Sequence, residues 1–207
     1  MLNLNKVYLY RMTHIENIPH ILQNGITHSK SKNANPSFFP IGDNSIINLR
    51  NEFKLDNGKL LGEYIPFYFG IRTPMLYVIQ KGYNKVLPTP AEKIVYCVTS
   101  VQKIIDQKLD FVFTDGHAVD GFSSQYTLAE IPNINTILDK NAIDSIYWKN
   151  EKDLDLKRKK EAEFLILNDI PIETILGFIT YNENAKNKVI NFGVEDLKVI
   201  IRPNYYF

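Results

Sequence analysis

The sequence predicts an α+β fold in a single domain spanning residues 1–207. Three observations carry that prediction. Short runs rich in Val, Ile, Tyr and Phe, bounded by Gly, Asn, Asp and Pro, read as strands. Runs with apolar residues at helical spacing lie between some of them, two headed by Asn or Ser. The two kinds do not alternate as regular βαβ units, which argues against a doubly wound sheet. A chain of 207 residues is long enough to bury one sizeable core.

The elements follow in order. Val7 to His14 reads as a strand with a polar end. Asn17 is a fitting N-cap for a helix with Pro19 in its first turn, Ile18, Ile21 and Leu22 on its apolar face, and Gly25 at its close. From Thr27 to Asn57 the pattern dissolves into a long polar loop of the kind that is usually functional or mobile. Within it, Ile46 to Arg50 reads as either a short helix or a strap. Glu63 to Gly70 is an aromatic strand broken by Pro66, which argues for an edge or a bulge. A turn then leads into a helix with Pro74 near its start. Ile94 to Thr99 is a strand, and Ser100 caps a helix carrying Val101, Ile104 and Ile105. Phe111 to Ala118 is a strand ending in a turn that delivers His117. Residues 120–150 are polar and irregular, a second long loop, with Tyr126, Tyr147 and Trp148 in it. Strands over 170–181 and 199–202 flank a helix over 183–192.

Composition excludes several classes. The single cysteine, Cys97, rules out an internal disulfide and suits a reducing compartment; its apolar strand context makes it a buried hydrophobe rather than a nucleophile. No segment resembles a secretion signal and no apolar run is long enough to span a bilayer, so a soluble, cytoplasmic protein is expected. Four histidines lie without metal-ligand spacing, so no metal is expected. Nucleotide-binding glycine motifs and the common hydrolase motifs are absent. A net charge of +1 means that any nucleic-acid surface must be a local patch.

The stretch with most chemical content is Lys157-Arg158-Lys159-Lys160-Glu161-Ala162-Glu163, leading into Phe164-Leu165-Ile166-Leu167. The apolar part reads as a buried strand. Residues i and i+2 on a strand point to one face, so Glu161 and Glu163 are expected to share a side. Either this is a charged loop ahead of a strand, or one carboxylate stands at the rim of a cleft. His14, at a strand-to-helix junction, either faces that cleft or is a structural histidine. Arg50 and Arg72 are each either surface charge or anion ligands, Arg72 beside a helix start.

Several segments, in order, resemble the DarT family of bacterial DNA ADP-ribosyltransferase toxins. They are Tyr10-Arg11-Met12-Thr13-His14 with the Ile18-to-Leu22 helix, Tyr64 to Phe69, Phe111 to Ala118, Glu161-Ala162-Glu163, and Tyr205-Tyr206-Phe207. The resemblance implies an ADP-ribosyltransferase fold of two packed β-sheets with flanking helices. It implies NAD+ as co-substrate, without a metal, and a base of single-stranded DNA as acceptor, thymine first and guanine second. It implies a cognate antitoxin with a macrodomain-type hydrolase, and a monomer. It assigns catalysis to Glu163, Arg50 and His117, and NAD+ binding to Thr13, His14, Arg50, Tyr68 and Arg72. Lys149, Lys157, Arg158, Lys159 and Lys160 would form a funnel for the strand, and Glu161 an exposed partner for those lysines. The alternatives are a non-catalytic nucleic-acid-binding module and a transferase that modifies protein.

Overall fold

A computed structural model describes residues 3–207. Its strands are β1 (Tyr8–His14), β2 (Tyr64–Tyr68), β3 (Ile94–Ser100), β4 (Phe111–Thr114), β5 (Gln125–Tyr126), β6 (Glu163–Leu167), β7 (Gly177–Thr180) and β8 (Val199–Ile201). They form one hydrogen-bonded sheet in the order β5-β4-β6-β2-β1-β3-β7-β8. Neighbours are antiparallel except β7 and β8, which are parallel. The two sheets implied by the resemblance are the two four-stranded halves of this sheet. They join where Tyr10 of β1 pairs with Tyr68 of β2. Past that pair the strands part, and Arg11 spans the gap, its Nη1 donating to the Pro66 carbonyl at 2.9 Å.

That junction explains Pro66. The sequence argued for an edge, yet β2 lies in the interior of the strand order, with Pro66 in register with Leu165 of β6. A proline has no N–H to give a second neighbour. Here none is asked for, because β1 has already left the ladder.

The helices are α1 (Ile18–Asn24), α2 (Asn44–Glu52), α3 (Pro74–Lys81), α4 (Val101–Asp106), α5 (Ile134–Ile137), α6 (Lys140–Asp144), α7 (Leu156–Lys160) and α8 (Glu183–Asn191). Ser100 caps α4 as its sequence predicts, accepting from the Lys103 N–H at 3.3 Å. Thr73 caps α3 and Asp43 caps α2. Asn17 does not cap α1. Its amide is buried and donates to Thr13 Oγ1 and the Phe39 carbonyl, while its oxygen accepts from the Phe39 N–H. It therefore pins the polar loop to β1. Gly25 ends α1 with φ +74°, and a Cβ there would lie 2.1 Å from the Ile170 carbonyl oxygen, so only glycine fits.

The core lies on both faces of β6. Phe164 and Ile166 pack with Leu9, Ile18, Phe67 and Phe113, and Leu165 points the other way, to Leu61 and Tyr64. A strand buried on both faces reads as the continuous apolar run Phe164-Leu165-Ile166-Leu167. Burying each large apolar side chain contributes about 1.5–3 kcal/mol. The two long loops differ from one another. Residues 27–43 hold no helix or strand; a single bridge at Ile26 precedes them, and α2 follows. Residues 120–150 are not a plain loop: they carry β5, α5 and α6, whose helices are too short to give a periodic apolar signal.

Candidate active site

A cleft of about 420 Å³ opens where β1 and β2 part. Arg11 and Thr13 of β1, Tyr68 of β2, Arg50 of α2 and His117 beyond β4 line it, with Phe38 of the polar loop at its side. The sheet junction and the cleft are one feature: two strands that stop pairing leave a polar-edged gap, and the 27–43 segment covers it.

Glu163, the first residue of β6, lies just behind the cleft wall, in contact with Arg50 and His117, which line it. It is fully buried, not at a rim. Tyr68 sits opposite it in the β2–β6 register. Its Oε2 accepts from Arg50 Nη1 at 2.7 Å, and its Oε1 accepts from the Ala118 N–H at 3.0 Å. The Thr114 hydroxyl accepts from the Glu163 N–H and donates to the Gly116 carbonyl, tying β6 to the turn after β4. A buried carboxylate needs such partners, and removing one of a buried ionic pair costs about 3–5 kcal/mol. Arg50 comes from the last turn of α2, a helix capped by Asp43, so the strap alternative for 46–50 is settled as a helix. Its Nη2 is buried with no acceptor among the described residues. A guanidinium donor left free beside a carboxylate, at a cleft wall, is placed to donate to a ligand oxygen.

His117 Nε2 stands 3.9 Å from Glu163 Oε1. Burial pushes the His117 pKa down, and the neighbouring Glu163 only partly offsets this, so the ring is neutral at pH 7. Glu161 departs from its expected place. It is buried, it caps the end of α7, and it precedes β6, so strand alternation does not relate it to Glu163. It is no exposed partner for lysines. Burial pushes its carboxyl up to about 7, with Lys157 opposing. Tyr68 has its phenol pushed up by burial and then by Glu163 and Glu161.

The structure thus brings Glu163, Arg50, His117, Tyr68 and Thr13 to one cleft. It does not bring His14 or Arg72 there. His14 is buried, stacks on Phe39 with ring centroids 4.7 Å apart, and its Nδ1 accepts from the Glu16 N–H. Its ring packs under the polar loop instead, against Phe39, which is not part of the cleft wall. Arg72 has φ +49° and lays its guanidinium over the Phe207 ring at 4.5 Å, away from the cleft lining.

The basic run is also corrected. Lys160 is buried, its Nζ donating to the Ile143 and Ser145 carbonyls. Arg158 is held by Asp155 and Asp115, and Lys159 by Asp139 and Asp155. Lys157 and Lys149 are exposed and carry no ion pair among the described residues. A one-turn helix points successive cations to different sides, so four adjacent charges cannot all face one strand.

Sequence reasoning missed His20, His28 and Arg11 on the cleft wall. His28 is held by its Nε2 to the Gly62 carbonyl at 2.6 Å and by its backbone N–H to Asp169. These residues carry no motif, and only the spacing His20–His28 across Gly25 hints at a shared wall. Among the described residues no group of three or more His, Cys, Asp or Glu side chains is arranged to hold a metal ion, and no helix is long and apolar enough to cross a membrane.

A buried carboxylate paired to arginine, with a neutral imidazole beside it and an open donor above, suits the transfer of a glycosyl group through a cationic sugar-like transition state. The comparisons define the class more closely. Residues 10–207 match the sequence profile of the family described as "ssDNA thymidine ADP-ribosyltransferase, DarT". A DNA ADP-ribosyl transferase of Escherichia coli is 30% identical, covering 100% of this chain and 96% of its own. One from Thermus sp. is 32% identical over 96% of this chain and 95% of its own. The solved Thermus sp. 2.9 DarT in complex with ADP-ribosylated ssDNA superposes with a TM-score of 0.84 at 30% identity, covering 97% of this chain and 96% of that one. The chain belongs to the DarT family and is an NAD-dependent DNA ADP-ribosyltransferase.

Proposed function

We propose that this chain transfers ADP-ribose from NAD+ to thymine in single-stranded DNA, in the cytoplasm, with Glu163, Arg50 and His117 as its chemical centre. The observation that carries this is the Glu163 carboxylate, held by Arg50 Nη1 and the Ala118 N–H just behind the wall of a 420 Å³ cleft. The family description and the Thermus complex with ADP-ribosylated ssDNA support the acceptor.

The bond between nicotinamide and the ribose C1′ breaks, and its electron pair leaves with nicotinamide, which becomes neutral. Positive charge develops on the ribose. Glu163 accepts a hydrogen bond from a ribose hydroxyl and stabilises that charge. Thymine in a strand has one ring N–H, at N3. Its nitrogen forms the new bond to C1′, and the proton goes to neutral His117. The unpartnered Nη2 of Arg50 donates to a ligand oxygen as charge shifts. Arg11, on the cleft wall and lowered in pKa by burial, supplies the cation for the diphosphate in place of Arg72. Thr13 and Tyr68 complete the NAD+ side of the cleft.

The product explains the toxicity. N3 is on the pairing edge of thymine, so an adduct there stops replication. Reversal needs a hydrolase, and a Thermosipho africanus relative is a fusion of the transferase with a DNA ADP-ribosyl glycohydrolase. This chain would be paired with such an antitoxin.

The test is Glu163→Gln, which keeps the shape and a hydrogen-bond acceptor. Losing one preorganised electrostatic contact costs about 10²–10³ in rate. Mass spectrometry of a thymine-containing single strand with NAD+ should show the wild-type adduct and its near loss in the variant, assayed below a Tm that the unpaired Arg50 lowers. A folded, fully active Glu163→Gln protein overturns the assignment.

A further inference from the structure

Beside the cleft lies a cluster of aromatic rings that the transfer chemistry does not use. Tyr77 of α3 stacks on Tyr83, centroids 5.5 Å apart and planes within 16°. Trp148, the one tryptophan of the chain, meets Tyr77 edge-on at 5.5 Å, and Phe207 meets both at 5.2 and 5.6 Å. Arg72 covers the remaining face of Phe207. The cluster is not closed over. Tyr83 is 52% exposed and the adjoining Tyr147 78%. A cluster serving only to anchor the C-terminus would bury its outermost ring, since exposed aromatic area is left unused.

Its position is fixed relative to the cleft in two ways. The same helix that carries Tyr77 puts Met75 and Ile79 into the cleft wall. The turn that carries Tyr83 is set by Gly82, Asn84 and Lys85, all at positive φ, and Asn84 donates to Asp43, itself a cleft-wall residue. Holding two non-glycine residues in that region costs energy that the turn must recover elsewhere. Its effect is to hold Tyr83 beside the mouth. Exposed cations lie on the segments that carry the rings: Lys81 at the end of α3, Lys85 in the turn, and Lys149 and Lys152 after Trp148, with Glu151 the acid between the last two. Lys149 and Lys81 bear electrostatically on the Tyr83 phenol.

A partly exposed stack of rings with Lys81 and Lys149 beside it suits a base and its phosphates rather than an apolar peptide. We infer that Tyr77, Tyr83 and Trp148 form a stacking subsite for a base of the single strand flanking the modified thymine, with Lys81 and Lys149 on its phosphates. The inference rests on the single-strand reading above and deepens it: part of the strand affinity resides outside the cleft, on a platform that accepts any base by its face.

Because Trp148 is the only tryptophan, its fluorescence reports on this platform alone. Titrating a single strand without NAD+ should quench it. Tyr83→Leu, which keeps apolar area but removes the ring, should raise KM for a long strand about tenfold with kcat held, as expected for one lost stacked base. Tyr83→Phe should restore it. A strand trimmed to the thymine and its immediate neighbours should show no difference between wild type and Tyr83→Leu. Fluorescence that stays unchanged while strands are modified, or a KM for Tyr83→Leu equal to wild type on the long strand, overturns the subsite. So does an equal loss on long and trimmed strands, since that marks a structural effect. If the wild type modifies no strand at all, the reading of the function fails and the subsite falls with it.

Discussion

At the scale of single residues, burial decides protonation, and protonation decides role. Glu161 and His117 sit a short way from Glu163 and are pushed in opposite senses along the pH axis. The Glu161 carboxyl is raised to about 7 by burial. Its folded form therefore holds a proton that the unfolded chain has released above about 4.5, and stability falls as pH rises from there to about 7. The strain is of the order of 3 kcal/mol above pH 7, an upper figure for a raised carboxyl of this size. Glu161→Gln should melt higher than wild type at pH 8, and the difference should vanish near pH 4; a gap that persists in acid would show that charge is not the cause. His117 runs the other way. Its pKa is lowered by burial, so the unfolded chain binds the proton first as pH falls below 6.5, and the neutral ring is the native form. Transfer should fall on the acid side, below pH 6.5, as the ring takes up its proton. His117→Gln should lose that acid limb together with most of the rate. A pH–rate profile unchanged in shape would remove the proton-accepting role.

At the scale of elements, α7 carries the tie between the catalytic strand and the 143–148 segment. Lys160, three residues before Glu163, gives its ammonium to the Ile143 and Ser145 carbonyls, and burial lowers its pKa to about 8. Gly70, just past β2, admits the same segment: a Cβ there would lie 2.8 Å from Ile143 Cγ2 and 2.9 Å from its carbonyl oxygen. Lys160→Met keeps the stem and removes the charge. It leaves two carbonyls without a donor, at about 1–3 kcal/mol each if they stay dry. Thermal melts should drop accordingly, and an unaltered Tm would mean that water replaces the ammonium at no cost. This tie also marks the limit of what the sequence discloses. The β6 run, the aromatic β2 and the Ser100 cap are legible because each depends on local pattern. The resemblance put Glu163, Arg50 and His117 together, and they do meet. Lys160 looked like its neighbours because nothing local tells an ammonium under carbonyls from one in water. The resemblance assigns both Thr13 and His14 to NAD+, but only Thr13 lines the cleft, because Phe39 of the polar loop stacks on the His14 ring, a tertiary fact. The Asp115 and Asp139 partners of Arg158 and Lys159 lie 43 and 20 residues away, beyond any window of sequence pattern.

At the scale of the molecule, a chain in which 23 acids offset 24 Lys and Arg has to attract a polyanion by where its cations stand. The sequence places four of them together at 157–160, and four phosphate contacts would be worth a slope near −2.8 in log affinity against log salt, at about 0.7 per contact on single strands. The structure removes most of that sum. Arg158 and Lys159 already face carboxylates, and a cation with its own counter-charge releases no condensed ion when a phosphate arrives. Lys160 is out of solvent altogether. Lys157 remains from the run, and Lys149 and Lys81 stand on the aromatic side of the cleft. The field that guides the strand is thus spread around the mouth instead of concentrated beside β6. Lys157→Gln should lower the slope by about 0.7, and Lys149→Gln by a similar amount, whereas Lys159→Gln should leave it within error. Binding isotherms of a thymine-containing single strand across a salt series measure all three. A fall for Lys159→Gln as large as that for Lys157→Gln would mean that Asp139 and Asp155 release the lysine when DNA binds, and that the run acts as one surface after all.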